Sequence, residues 1–252
     1  MPMHGKPNAA RNARRRTKRQ MHGGTLPKRS SVDIQTVSLY RLSQHCTCTD
    51  VAARPVAIQA LTQTITHLTQ GGRFRQAADR EKEIGQIYLQ ESNDIRKACE
   101  SFERAGDWYA QEDATATANA CYKDAADLHA DLDEYPQAIQ RYEQVADHSL
   151  SSALTKYSVK EYWLRALLCA LAMGDPVTAK RNMGKYANQD TTFSSTREAK
   201  FINVLIEAVE SGDQEVFTGA VVEFDQVTKL DNWKTAMLLK IKRSIHEEPG
   251  LT

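Results

Sequence analysis

The stretch KACESFERAGD, residues 97–107, returns about 40 residues later as QAIQRYEQVAD, residues 137–147. The two copies align without a gap and pair Ala98 with Ala138, Phe102 with Tyr142, Glu103 with Glu143, and Asp107 with Asp147. Each copy has the spacing of an amphipathic helix, and a second amphipathic stretch follows it. Because a repeated helix pair cannot bury its apolar face alone, the copies must stack side by side. The repeat predicts an all-α, tetratricopeptide-like solenoid of helical hairpins with a small C-terminal helical cap.

Charge is distributed unevenly along the chain. Residues 1–55 carry eleven Lys and Arg against Asp33 and Asp50, whereas the remaining 197 residues carry 22 Lys and Arg against 30 Asp and Glu. The first 31 residues also show no hydrophobic period, so we expect the basic segment to be disordered. We therefore divide the chain into a basic segment, 1–55, and a helical-repeat domain, 56–252.

Cysteine usage and hydropathy indicate the cytoplasm. The five cysteines are odd in number, and no apolar run approaches the ~18–20 residues of a membrane span. No continuous apolar stretch follows the basic start, so a secretory signal does not fit. Zinc needs four closely spaced ligands, and the cysteine that follows His45–Cys48 is Cys99. We expect reduced thiols, no metal and no cofactor.

From residue 56 onward the apolar spacing predicts a series of consecutive helices. Gly71–Gly72 and Gly174–Pro176 interrupt the apolar period, and Pro136 falls where a first helical turn tolerates proline. Ser195 and Glu198 have the spacing of a capping box, which predicts a helix beginning at about residue 197. The sequence has no Gly-rich phosphate loop, no GxSxG and no paired His-Glu motif, so we do not expect an enzyme.

Several segments of the chain resemble segments of the soluble NSF attachment proteins, the alpha-SNAP family that serves SNARE disassembly. In chain order they are KACESFERAGDWYAQED (97–113), ANACYKDAADL (118–128), YPQAIQRYEQVAD (135–147), KYSVKEYWLRALLC (156–169), FSSTRE (193–198) and EFDQVTKLDNWKTAMLLKIKRSI (223–245). Generic tetratricopeptide repeats share the helix-pair architecture but do not contain these sequence segments in this order. The resemblance covers the chain from about Val56 to its end.

The resemblance implies an adaptor in vesicle fusion and intracellular membrane trafficking. It would bind the assembled SNARE four-helix bundle, and would recruit and stimulate the hexameric AAA ATPase NSF. The implied SNARE-binding residues are Arg73, Lys160 and Arg197. The implied ATPase-binding residues are Glu207, Glu210, Glu247, Glu248 and Leu251. The implied location is cytoplasmic, with peripheral association with membranes.

The chain departs from the family in two respects. Two family lysines fall on Asp79 and Ala120; nearby Arg80 and Lys123 could replace them, although the one-residue shift from Asp79 to Arg80 turns a helical side chain by about 100°. The family's N-terminal helices, with an apolar loop that touches the membrane, have no counterpart in residues 1–55. Membrane contact should therefore be transient and weakened. We expect a truncated paralogue or a mis-assigned start, and favour the latter because an exposed first helix pair would lose its packing neighbour.

Two other functions are compatible with the sequence. A generic helical-repeat scaffold would bind extended peptide tails of other proteins. The Arg14–Arg19 run could contact nucleic acid, but it contains no interleaved aromatics for base stacking, and the body of the chain is acidic. We therefore expect no nucleic-acid partner.

Overall fold

The computed structural model describes residues 53–247, which form ten α-helices and, within that range, no strand. The prediction of an all-α helical solenoid is confirmed. The Arg14–Arg19 run, the His45–Cys48 motif, Glu248 and Leu251 lie outside the described residues.

The helices follow one another with short connections. They are α1 (Ala53–Gln70), α2 (Phe74–Ile87), α3 (Ile95–Gln111), α4 (Thr115–Asp131), α5 (Tyr135–Leu150), α6 (Val159–Ala172), α7 (Pro176–Gln189), α8 (Arg197–Ser211), α9 (Gln214–Val227) and α10 (Asn232–Glu247). A π-helical turn, Tyr88–Ser92, extends α2, and single 3₁₀ turns precede α6 and α8.

Local sequence explains several helix ends. Asp94 and Asp175 accept hydrogen bonds from backbone N–H groups in the first turns of α3 and α7. Gly212, at φ 70°, ends α8 in the left-handed region that glycine enters without strain. The predicted capping box at Ser195 and Glu198 is wrong, because Thr196 caps α8 by accepting from the Ala199 N–H at 3.2 Å. The Glu198 carboxylate is instead engaged by another helix.

Neighbouring helices run antiparallel, as contacts in opposite order show. Early in α2, Asp79 meets Tyr109 near the end of α3, and farther along α2, Glu81 meets Arg104 one turn earlier in α3. The connections therefore alternate between two sides of the solenoid. We call edge A the side with the α1/α2, α3/α4, α5/α6, α7/α8 and α9/α10 connections, and edge B the side with the other four.

The two sequence copies occupy equivalent places on α3 and α5. Ala98 and Ala138 are both fully buried, as are the aromatic residues four positions later. Small residues at these positions allow the helix axes to approach closely. The shared apolar positions are therefore packing sites of a repeated hairpin.

The shared glutamates connect each hairpin to the next. Glu103 on α3 accepts from the Arg141 guanidinium on α5 at 2.9 Å. Glu143, its equivalent on α5, accepts from Lys185 at 2.8 Å and from the Tyr186 hydroxyl at 2.7 Å, both on α7. The same sequence position thus makes the same inter-repeat connection twice.

A buried guanidinium joins three helices in the C-terminal half. Arg165 on α6 donates to Asp127 on α4 at 3.0 Å and to Glu161 at 3.3 Å, and it also pairs with Asp231 just before α10. Its guanidinium carbon lies 4.6 Å from the ring centre of Trp233. A buried charge that loses its partner costs about 3–5 kcal/mol, so the arginine and its carboxylates stabilise the fold only as a set.

This network places α10 against α6 and the end of α4. Lys234, which is buried, lies 2.6 Å from Glu161, and the Trp233 indole N–H donates to the Asp127 carbonyl at 3.3 Å. Farther along α10, Lys240 meets Asp133 in the α4/α5 connection at 2.8 Å. Helix α10 therefore runs parallel to α6, from edge A to edge B, as the predicted C-terminal cap.

The described helices were compared with the length and hydropathy that a membrane-spanning helix needs. None of them combines sufficient length with sufficient hydropathy to span a membrane. Cys99, Cys121 and Cys169 are buried and form no disulfide.

Helices α3 and α4 touch through Gly106. A Cβ atom at this position would lie 2.7 Å from Cε1 of Tyr122. The ring cannot easily shift, because its hydroxyl donates to Asp107 at 2.7 Å and the Arg141 guanidinium lies over its face.

We expect Gly106→Ala to lower the free energy of unfolding by about 1–3 kcal/mol, since the methyl group overpacks this contact. Gly184→Ala is the matched control, because nothing lies within 4 Å of the added Cβ atom at this exposed position of α7. It should raise stability by about 0.5–1 kcal/mol through helix propensity. Urea unfolding measures the stability of both variants. Equal changes in their free energies of unfolding would show that Gly106 and Tyr122 are not in tight contact.

His129 on α4 lies between two carboxylates. Its ring nitrogens are 2.8 Å from Glu134 and 3.3 Å from Glu103. The side chain of Cys99 and these carboxylates raise the pKa of His129 to about 10. The imidazolium, together with Arg141, lowers the pKa of Glu103 to about 2. The ring is therefore charged and paired at neutral pH.

His129→Gln should destabilise the protein more at about pH 6 than at about pH 10, by at least about 1 kcal/mol. A raised folded-state pKa gives stability that is complete below the unfolded value near 6.5 and is lost as pH rises toward 10. Urea titrations of variant and wild type at both pH values measure the difference. Glu103→Gln should weaken the same pH dependence, and a deficit independent of pH would refute the assignment.

Candidate functional site

The three basic residues expected to bind SNARE proteins all lie at edge A. Arg73 precedes α2, Lys160 is the second residue of α6, and Arg197 is the first residue of α8. Each therefore sits at the beginning of an even-numbered helix, and all three are exposed. Their shared edge follows from the alternation of antiparallel helices.

Lys160 also has a role inside the protein. Its Nζ lies 2.9 Å from Oε1 of Glu198, whose side chain is 8% exposed against 46% for the lysine. The other oxygen of Glu198 is buried and has no hydrogen-bond partner among the described residues. Because a buried carboxylate is costly without a cation, Lys160 holds α6 and α8 together at edge A.

Arg197 is less constrained. Its Nη1 is 3.4 Å from the Thr228 hydroxyl at the end of α9, a contact at the limit of hydrogen bonding. The guanidinium therefore stays available to a partner at the end of the α8–α9 pair.

Edge A is not uniformly basic. The α3/α4 connection, between Arg73 and the α5/α6 connection, contributes the exposed acids Glu112 and Asp113. In the α5/α6 connection, Lys156 lies 3.4 Å from Asp190 of the α7/α8 connection. The cations are therefore separate points along this edge, a pattern suited to fixing the register of an acidic partner.

Two large apolar residues at edge A were missed by sequence reasoning. Leu154 and Tyr157, in the α5/α6 connection, are 92% and 83% exposed. They lie between two periodic segments, so no helical pattern marked them, although apolar residues inside a break were a usable signal. Exposed aromatic and aliphatic side chains beside cations are typical anchors of protein interfaces.

The resemblance implies lysines at the positions of Asp79 and Ala120, and the two nearby cations that could replace them make ion pairs of their own. Arg80, next to Asp79, donates to a glutamate one turn along α2 at 2.6 Å. Lys123, one turn from Ala120, lies 2.7 Å from Asp127. Both cations are thus engaged by carboxylates of their own helices.

The acidic residues expected to bind the ATPase lie toward edge B. Glu207 and Glu210 are exposed one turn apart near the end of α8. Glu210 pairs with Lys180 on α7 at 2.7 Å, whereas Glu207 makes no ion pair among the described residues. Glu247 is the last residue of α10 and lies at the same edge. Glu248 and Leu251 follow it outside the described range.

A family model described as "Soluble NSF attachment protein, SNAP" matches residues 38–246. The match begins inside the 1–55 segment, whereas the resemblance described above begins only at about Val56.

Curated relatives agree with the family model. "Vesicular-fusion protein SEC17" of Coprinopsis cinerea is 72% identical over 197 residues, which is 78% of this chain and 68% of the relative. "Probable vesicular-fusion protein sec17 homolog" of Schizosaccharomyces pombe is 42% identical over 197 residues, with the same coverage of 78% and 68%. "Beta-soluble NSF attachment protein" of Bos taurus is 39% identical over 189 residues, 75% of this chain and 63% of the relative. The chain thus spans about two thirds of these relatives.

Lys160→Met should lower the free energy of unfolding by about 1–3 kcal/mol, because it leaves Glu198 buried without its cation. Arg197→Met removes another long cationic side chain at the same edge and should cost less than about 0.5 kcal/mol. Chemical denaturation measures both. Similar losses in the two variants would show that the Lys160–Glu198 pair is not structural.

Proposed function

The chain belongs to the soluble NSF attachment protein family, and we propose that it is an adaptor that binds assembled SNARE complexes and recruits and stimulates the hexameric ATPase NSF in vesicle fusion. The family match over most of the chain is the observation that carries this proposal. The adaptor consumes no ATP itself, since hydrolysis belongs to its partner. Its partners are proteins, with no nucleic acid among them.

The SNARE bundle binds along edge A in this proposal. Arg73, Lys160 and Arg197 face its carboxylates, while Leu154 and Tyr157 are buried against it. One exposed ion pair contributes only about 0–1 kcal/mol, whereas burying a leucine side chain contributes about 1.5–3 kcal/mol. The cations therefore steer and orient the bundle, and the apolar pair supplies much of the affinity.

The ATPase binds at edge B through acidic groups. Glu207 and Glu210 on α8 act with Glu247 and Glu248, and Leu251 stimulates ATP hydrolysis. Ten residues separate Arg197 from Glu207, so one helix carries contacts to the two partners about 15 Å apart. Helix α8 thus connects the bundle to the motor.

Residues 56–252 are the partner-binding domain in this proposal, and residues 1–55 form a separate basic segment. The protein works in the cytoplasm and reaches membranes peripherally, through the SNARE proteins it binds. Direct contact with lipid is transient and weak.

Co-sedimentation with preassembled SNARE bundle and NSF tests the adaptor function. The protein should pellet with the SNARE bundle. NSF should pellet only when the protein and the SNARE bundle are both present. Failure to associate with either partner would end the proposal.

Leu154→Ser should weaken bundle binding about tenfold, because an anchor residue loses its apolar contact. Val177→Ser is the matched control: this valine is 72% exposed in the first turn of α7, at edge B. Its substitution should leave bundle binding unchanged within about twofold. Fluorescence anisotropy of a labelled bundle measures both affinities, and equal losses would exclude edge A as the binding side.

A further inference from the structure

An apolar groove lies between α8 and α9. Its volume is about 700 Å³. Phe201 and Phe224 stack across its floor with ring centres 4.3 Å apart. Val204, Val216 and Val227 line it and are 37%, 46% and 64% exposed. The three valines are therefore exposed to solvent, although the two phenylalanines beneath them are buried.

The path of α10 leaves this groove uncovered. Along α1 to α6 each helix packs on the one before it, so each hairpin in this part of the solenoid is covered by the helix that follows it. Helix α10 instead pairs with α6 through Lys234 and Asp231, away from the groove. On α9, only Phe217 and Phe224 are buried. Among the described residues, no helix occupies the place where the next layer of the solenoid would lie.

The groove is charged at one end. Arg197 and Lys200 lie in the first turn of α8, at edge A, and Glu223 is the carboxylate that lines the groove with them. Lys200 makes no ion pair among the described residues. Two cations beside one carboxylate favour an occupant with negative charge at that end.

We propose that the groove docks a short amphipathic helix of another protein, with carboxylates at the end that meets Arg197 and Lys200. A solenoid layer is completed by a helix, and a helix-in-groove contact uses apolar side chains at every third or fourth position. The distance from Val216 to Val227 along α9 corresponds to about 16 Å, or three helical turns of an occupant.

Charge weighs against an occupant from the chain's own start. Residues 1–52 carry ten Lys and Arg against two Asp, so they would meet Arg197 and Lys200 with like charge. The proposal extends beyond the adaptor function, because Lys200, Val204 and Val216 take no part in that function, although Arg197 belongs to both sites.

A designed peptide tests the groove directly. The probe is a fluorescein-labelled, helix-forming peptide of about 14 residues with leucines at i, i+4, i+7 and i+11 and two glutamates in its last turn. With the full chain alone, its anisotropy should rise with a Kd at or below about 0.1 mM. A second probe with lysines in place of the glutamates should bind at least about fivefold more weakly. Since neither SNARE bundle nor NSF is present, the result is independent of the adaptor function.

Two substitutions on one helix provide the matched comparison. Val216→Asp puts a charge inside the groove, whereas Val222→Asp puts the same charge at a valine that is 54% exposed and does not line this groove. Val216→Asp should weaken binding of the glutamate probe at least about tenfold, and Val222→Asp should weaken it less than about twofold. Lys200→Glu should reverse the preference between the two probes.

Other outcomes would overturn the proposal. No saturable binding of the glutamate probe, or equal losses in the two valine variants, would show that the groove is not a docking site. Dissociation of a dimer by Val216→Asp alone, seen by sedimentation, would assign the groove to a second copy of the chain. Faster tryptic cleavage within residues 11–19 in that variant alone would assign it to the chain's own start.

Discussion

The guanidinium of Arg165 is the group on which the C-terminal half of the molecule depends. It is buried among carboxylates from α4, α6 and the segment before α10, and it stacks on Trp233. Ion pairs of this kind are strong only when every member is present. Because the network fixes α10 along α6, it also determines which surface of α8 and α9 the described helices leave open.

The alternation of antiparallel helices places the candidate cations and the candidate acids at opposite edges of the solenoid. Edge A has separate cations and the exposed pair Leu154 and Tyr157, and edge B has the acidic end of α8 and the end of α10. The division needs no additional element, since every second connection returns to the same side. One side chain serves two purposes at edge A, because Lys160 neutralises the buried Glu198 while part of it remains exposed.

Much of the fold could be predicted from the chain's periodicity. The repeat at Ala98 and Ala138 identified the packing positions, and glycine and proline marked several helix ends. The cap of α8 was predicted wrongly, because Ser195 and Thr196 are both able to accept a backbone N–H and their local sequence does not rank them. The candidate site was predicted only as separate residues, since neither the partner of Lys160 nor the exposure of Leu154 is encoded within a single helix.

Sequence by itself determined the helices and their repeated packing faces, because these depend on spacing within about 40 residues, and its resemblance to a known family identified the family. Tertiary structure alone decided that Arg165 is buried, that Glu198 neutralises Lys160 instead of capping its own helix, and that α10 returns to α6 and leaves a groove beside α9. Those features require residues up to 107 positions apart to meet, as Asp133 and Lys240 do. Such contacts depend on how completed helices pack, and helical periodicity carries no information about them.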